Sequence, residues 1–581
     1  AVRLEALPGY ALLKYFIIDS PHDEPPEDLT RQITTARDYW QRFHSLQESQ
    51  NLLRALDGEF IAPCNGNDPI RNPDAVPTGC NLIGFDPNRV PTRDAWEVGR
   101  RLTENIIADY YQRHGRYPGK LAFSLWSLET MRHHGVLEAQ ILAALGTRPV
   151  WSENGRIVGI EIIPFSELGR PRVDVVVSAT GLYRDAFPNV MLRMAQAIKD
   201  ISVLKEAGNP VYRNSETVYQ SLLKAGKSEE DARYLSTVRI FSNQSGNYGT
   251  GLEGAVLASD TWEQESKLAD LYTRRMGIAF GADESRWSER VEDVNLYEQA
   301  LSGTDGVIFS RSTNLYALLT NDDPFQYFGG IALAVRNVDG KTPEMFVSNL
   351  RKKNGEKVQT MEHFLAAELR ARYLHPRWIN QMQNEGYAGA TAILDRMNNF
   401  WGWEVMAPEY IKDEQWQQFY EVYINDKYEM DMDKFFAQSN PAAQAQMLER
   451  MLEAVRKGYW PADDKTVRHM TERYIEIANR NDVYTNNDIF KEYVNGTAAG
   501  FGLASLTQIS QPTKAAIPPD AQAATQDNRV EGQVMEKVKQ SETSEDSRYY
   551  YLITMMLIVF IAGFLFQLVS WPPLSRRMAH G

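Results

Sequence analysis

The stretch from Leu121 to Asp185 constrains this chain most, because few folds accommodate its alternation of apolar runs and turn residues. It opens with the strand-length run Leu121-Ala-Phe-Ser-Leu125, followed by Trp126-Ser-Leu-Glu129-Thr-Met-Arg132-His133-His134-Gly135. Leu137, Ile141, Leu142 and Leu145 then recur at helical spacing up to Gly146. A second apolar run, Ile157 to Pro164, leads to Gly169-Arg-Pro-Arg172 and the valine-rich strand Val173–Ser178. Ala179-Thr-Gly181-Leu-Tyr-Arg184-Asp185 follows, opening another helix. This order of strands and helices predicts an α/β fold with a mostly parallel sheet covered on both faces. Such sheets bind ligands beyond the carboxyl ends of their strands. If Leu121–Leu125 and Val173–Ser178 run parallel, Glu129, His133 and His134 share that edge with Arg184 and Asp185.

A chain of 581 residues can bury a large core and divide into several domains. Its net charge of −14 argues against a nucleic-acid partner, which would require a basic face. Cys64 and Cys80 are the two cysteines, and their number leaves a bridge, free thiols and metal binding all open. The first residue is Ala1, with no charged and apolar leader after it, so the sequence is expected to be a piece of a longer chain.

Residues 1–120 are expected to be helical, with a helix from Thr92 to His114, interrupted by a long Pro/Gly/Asn-rich loop from Pro63 to Thr92. Such loops are either functional or covering segments. Residues 121–340 form the α/β core, and 341–500 a mostly helical region. Within the core, Gly249, Gly251 and Gly254 satisfy G-x-G-x-x-G. No second strand with a ribose-binding acid follows, so a Gly/Asn/Ser-rich loop beside the ligand edge is preferred to a dinucleotide site. Gly329-Gly330 suits close helix packing. Residues 501–548 have the composition of a flexible tether. Leu552–Val569 then runs for eighteen residues without a charge, between Tyr549-Tyr550-Tyr551 and Trp571, which predicts a transmembrane helix within 549–571. The basic residues on either side weigh toward a cytoplasmic body.

Glu129 and His133 are four residues apart and share one face of a helix, with His134 turned away. A carboxylate beside an imidazole favours the protonated ring, and the same pair can grip a divalent metal. Exposed polar side chains, with Arg132 neutralising Glu129, are the plainer alternative.

Many separate words carry a family resemblance. They include Asp68-Pro69-Ile70-Arg71-Asn72-Pro73, Pro77-Thr78-Gly79 with Asn81, Gly169-Arg170-Pro171-Arg172-Val173-Asp174-Val175, and Arg184-Asp185 with Phe187-Pro188. Tyr248-Gly249 with Gly251-Leu252, Gly329-Gly330, Gly386-Tyr387-Ala388-Gly389-Ala390 and Asn440-Pro441 continue the series. From about Leu52 to Trp460 the chain resembles the large subunit of the class I tetrapyrrole chelatases, the cobaltochelatase CobN and magnesium chelatase H subunits. It departs from them at Cys80, where a basic residue is usual, at Trp126-Ser127-Leu128-Glu129-Thr130 and at His375-Pro376.

The resemblance implies a subunit that binds a porphyrin, haem or corrin ring as substrate and exchanges a divalent metal (Co, Mg or Fe), usually with AAA+ ATPase partners. The catalytic residues expected from it and from the strand edge are Glu129, His133 and Asp185, with Glu129, His133 and His134 as metal ligands. Arg71, Asn81, Trp126, Arg184, Asn243 and Tyr248 are the expected ring-binding residues. The membrane helix is similar to that of CobN-like haem-uptake proteins, which implies iron removal from haem as one direction of the reaction. A membrane-tethered tetrapyrrole carrier without chemistry is the alternative.

Overall fold

The computed structural model describes residues 8–45, 47–65, 75–80, 83–289, 291, 294–483 and 485–506. Arg71 and Asn81 lie outside the described residues, as do nearly all of the expected tether and the whole apolar segment Leu552–Val569. Among the described residues no helix is long and apolar enough to cross a membrane.

The chain enters the α/β region through helix α1, Arg93–His114. The Thr92 hydroxyl caps it by accepting the Ala95 N–H at 3.3 Å, Asp94 sits in its first turn, and Gly115 ends it in the left-handed conformation. Strand β1 is Lys120–Leu125, followed by helices α2, Ser127–His133, and α3, Val136–Leu145. Strand β2 is Asp174–Ala179, leading into α4, Gly181–Ala186, and α5, Pro188–Ser202. Strand β3 is Ile240–Ser242, then come α6, Ser266–Met276, and the short β4, Ile278–Ala279. Strand β5, Gly306–Arg311, is followed by α7, Gly330–Asp339, and by β6, Glu344–Asn349, and β7, Lys357–Thr360. Helices α8, Tyr387–Met406, and α9, Pro441–Arg456, belong to the helical region beneath the sheet.

These seven strands form one sheet in the order β7-β6-β5-β1-β2-β3-β4. The inner five are parallel, and the edge strands β4 and β7 are antiparallel. Strand β1 is central, and the chain winds outward from it first toward β2 and β3, then back to β5 and β6. The strand order therefore reverses between β1 and β5, which is where a doubly wound sheet opens a ligand crevice.

Successive side chains serve two different cores. Leu121, Phe123, Val175, Val177 and Ile308 face the layer of α1, α3 and α5. Ala122, Val176, Val307, Phe309 and Val347 face the layer of α6, α7, α8 and α9. Burying each such side chain stabilises by roughly 1.5–3 kcal/mol, against about 1–2 kcal/mol for fixing each backbone unit. Cover on both faces thus holds the strands, and explains their near-continuous apolar runs. Gly330 belongs to the same packing: a Cβ there would stand 2.5 Å from the Tyr272 ring.

The run Ile157–Ile162 differs from the expectation of one continuous sheet. It pairs antiparallel with Thr147–Trp151 in a separate ribbon. Ile160 and Ile162 pack on the core while Val158 is exposed, so only one face of this run is covered. The loop expected from Pro63 to Thr92 holds a short parallel pairing of Cys64–Asn65 with Ile83–Gly84. Cys64 and Cys80 form a disulfide, so neither thiol is free and neither binds a metal.

Candidate functional site

The two ends of the sheet are finished differently. At the amino ends, Asp174 accepts from Arg239 at 3.1 Å and from Asn214 at 2.7 Å, and the Lys120 ammonium donates to the Ala300 carbonyl at 2.7 Å. At the carboxyl ends, the Glu129 Oε2, Arg311 Nε and Asn321 Oδ1 atoms are buried without a hydrogen-bond partner among the described residues. Unsatisfied buried polar atoms cost about 1–3 kcal/mol each, so these three converging groups are open to water or to a ligand.

They line a cavity of about 350 Å³ at the switch point between β1 and β5. Trp126, at the end of β1, forms one wall; its ring lies 5.0 Å from Phe309 and 5.9 Å from Tyr327. Arg311, at the end of β5, packs its guanidinium 5.2 Å from Trp126. Glu129 bonds Arg132 at 3.3 Å and faces Arg311 at 3.9 Å. Arg132 in turn lies over the Tyr316 ring at 5.2 Å. Asp323 completes the polar floor. Burial first, and then the neighbouring Asp322 carboxylate, push it up to about 6. The mouth is apolar: Leu128, Leu182 and Tyr248 each leave more than half of their surface exposed. Apolar walls over a charged floor suit a largely apolar small molecule that also carries polar atoms.

The loop from β3 to Gly251 is held from both sides. Arg184 is almost wholly buried and donates to the carbonyls of Asn243 and Gln244 at 2.8 and 2.9 Å. Its Nε donates to Asp185 at 2.8 Å, and the Tyr248 hydroxyl donates to the same carboxylate at 2.8 Å. Arg184 above all, with Tyr248, holds the Asp185 carboxyl below the ordinary range. Asn243 donates to the Gly249 carbonyl at 2.8 Å. On the far side, Tyr327 accepts the Gly249 N–H at 2.9 Å and Gln326 accepts the Thr250 N–H at 3.0 Å. Both belong to the π-helical turn Pro324–Gly329. Gly181 permits the close approach: a Cβ there would lie 2.7 Å from the Tyr248 ring.

The expected site residues therefore divide. Trp126, Glu129 and Tyr248 line the cavity. Arg184, Asp185 and Asn243 hold the Tyr248 loop. Glu129 and His133 do share one helix face, toward consecutive residues of β5, but they do not meet in a metal site. The His133 Nδ1 accepts the N–H groups of Gly135 and Val136 at 3.2 and 3.0 Å, and Nε2 lies 3.2 Å from the Ser310 hydroxyl. That ring caps the α2–α3 junction and is committed at both nitrogens. His134 takes a left-handed conformation, stacks on Phe85 at 6.1 Å and lines a separate recess with Cys64, Thr92 and Arg156. The covering loop before α1 thus borders that recess, which at about 1030 Å³ is the larger of the two, whereas the β3 loop borders the switch-point cavity. Among the described residues no three His, Cys, Asp or Glu side chains are gathered to hold a metal.

Arg311, Tyr316, Asn321 and Asp323 were not foreseen as site residues. Their signal was present: Arg311 ends an apolar strand-length run, and Asn321-Asp322-Asp323-Pro324 opens the next helical turn.

A doubly wound sheet with carboxylates beneath an aromatic cavity at its switch point defines a small-molecule site of the α/β class. The chain belongs to the CobN/Magnesium Chelatase family, whose model matches residues 17–467. It is 30% identical over 424 residues to the aerobic cobaltochelatase subunit CobN of a Sinorhizobium species, covering 72% of this chain and 32% of that protein. It is 30% identical over 433 residues to the H subunit of magnesium chelatase from Cereibacter sphaeroides, covering 74% of this chain and 35% of that one. The catalytic subunit of cobaltochelatase from Mycobacterium tuberculosis has a similar fold, with a TM-score of 0.71 at 28% identity over 81% of this chain and 40% of that chain. The chain spans about a third of the length of these curated relatives.

Proposed function

We propose that this chain is the tetrapyrrole-binding part of a CobN-type metal chelatase large subunit. The observation that carries the reading is the cavity at the switch point, with Trp126, Tyr248 and Tyr316 around it and Glu129 and Asp323 on its floor. Metal exchange replaces two pyrrole protons by a divalent ion. It needs an apolar surface for the ring face, a proton acceptor beneath it, and oxygen ligands for the metal in transit. Asp323, raised to about 6, is the acceptor poised near neutral pH. Glu129, with its unpartnered Oε2, is the group that meets the metal or the ring nitrogens. Arg311 and Arg132 hold the Glu129 carboxylate in place. The same groups serve insertion of cobalt or magnesium and removal of iron from haem, since one site catalyses both directions.

Family membership supports AAA+ ATPase partners in the same reading, the apolar sequence Leu552–Val569 supports a membrane tether, and the basic residues flanking it weigh toward the cytoplasmic side. The test is an absorbance titration of the full chain with a free-base porphyrin, followed by a divalent metal and the ATPase partners. A saturable shift of the porphyrin band, then the spectrum of the metallated ring, is the expected outcome. A band shift without metal exchange would assign the chain to the carrier class, and no shift at all would overturn the reading.

A further inference from the structure

Beside the switch-point cavity, hereafter the main cavity of the site, lies another of about 350 Å³, lined by Asn243, Gln244, Asn247, Arg274, Arg275 and Ile278 together with Tyr248 and Gly249. Tyr248 and Gly249 border both cavities, so the two share a wall. The chemistry changes across that boundary. In the main cavity each arginine already faces a carboxylate: Arg132 and Arg311 face Glu129. Arg184, behind the loop, is bonded to Asp185. Arg274 and Arg275, in the last turn of α6, have no hydrogen-bond or ion-pair partner among the described residues. They are adjacent cations beside polar amides, in a chain whose net charge is −14.

Both are exposed, and Arg275 has a shaped seat. Gly251 has a φ of +79°, and a Cβ on it would lie 3.0 Å from the Arg275 guanidinium carbon. The absent side chain lets that guanidinium lie against the loop beside the shared wall.

The geometry points to Arg274 and Arg275 as the subsite for the peripheral carboxylates of the tetrapyrrole, with the macrocycle in the main cavity and its acidic side chains passing Tyr248. This assignment rests on the proposed function. It supplies what the main cavity lacks, uncommitted cations for the anionic rim of the ring, in the guanidinium form that recognises carboxylates bidentately.

The experiment compares coproporphyrin with its methyl ester, in one detergent-containing buffer, on the full chain and on the variants Arg274→Gln/Arg275→Gln and Arg274→Lys/Arg275→Lys. The parental chain is expected to prefer the acid to the ester by at least about tenfold. The glutamine variant loses that preference by weakening acid binding alone, and the lysine variant retains part of it. An unchanged preference in the glutamine variant, or an equal loss for acid and ester, overturns the subsite while leaving ring binding intact. Failure of both rings to bind the parental chain overturns the tetrapyrrole reading, and the subsite with it.

Discussion

Arg311 and Glu129 face each other at 3.9 Å across the switch point, both almost completely buried, one at the end of β5 and the other in the first turn after β1. That contact, between Arg311 Nη1 and Glu129 Oε1, is too long for a direct hydrogen bond, and Arg311 Nε and Glu129 Oε2 have no partner among the described residues. Burial draws the Arg311 guanidinium down from its ordinary value, while Glu129, Glu368 and Asp323 oppose the shift. The pair therefore holds charge ready for a ligand at a cost to stability.

Removing one partner strands the other. Glu129→Ala is expected to destabilise the folded chain by about 3 kcal/mol, the usual cost of an uncompensated buried charge. The double variant Glu129→Ala/Arg311→Met is expected to cost less than the two single substitutions together. Urea unfolding of the four proteins measures the coupling, and strict additivity would show that the two charges do not sense each other.

Asp323 carries a pH signature. Its carboxyl stands at about 6 in the folded chain, above the ordinary 3.8, because burial disfavours its charge. The folded state therefore binds this proton more tightly than the unfolded one. The corresponding stability is present below about 3.8 and is lost as pH rises through about 6. Asp323→Asn is expected to flatten that part of the stability profile. As the proton acceptor, Asp323 must be ionised, so metal exchange is expected to rise through pH 6 and to lose this limb in Asp323→Asn. A limb unchanged in the variant would place the acceptor elsewhere.

Gly181→Ala tests the shared wall. Its Cβ would stand 2.7 Å from the Tyr248 ring and 2.9 Å from the Asn247 carbonyl, so the loop must move. Ring affinity is expected to fall about tenfold, with a stability loss of roughly 1–3 kcal/mol from the overpacking. Porphyrin titration and thermal unfolding read the two effects separately. Parental affinity in a folded variant would show that Tyr248 does not border the bound ring.

The strand edge was legible because β1 and β2 are covered on both faces and so read as unbroken apolar runs. Glu129 followed from that edge, while Trp126 and Tyr248 stand in stretches that carry the family resemblance. The roles of Arg184 and Asn243 did not, since a side chain that grips backbone carbonyls has the same residue type as one that grips a ligand. Arg170 and Arg172, within one of the family words, show the same thing. Arg172 donates to the Leu145 and Gly146 carbonyls at 2.9 and 2.8 Å, and Arg170 to that of Ala143 at 2.7 Å, closing the end of α3. The surroundings of His133 were hidden for a related reason. Helical spacing gives the direction of a side chain, but Ser310, which meets its ring, lies 177 residues away in sequence. Arg311 and Asp323 lie far beyond Leu121–Asp185 in sequence, and only the return of the chain from β4 to β5 brings them to β1.

Leu182→Trp tests the central claim most directly, that the ring binds at the switch point. Leu182 lines the mouth of the cavity and is exposed, so a larger side chain fills the entrance without disturbing the core. Val158→Trp, on the exposed face of the separate ribbon, is the control. Free-base porphyrin is titrated into each full-length variant and followed by its absorbance band. Affinity is expected to fall by more than about tenfold in Leu182→Trp, about 1.4 kcal/mol, and to stay at the parental value in Val158→Trp. Parental affinity in Leu182→Trp would contradict the placement of the tetrapyrrole in this cavity.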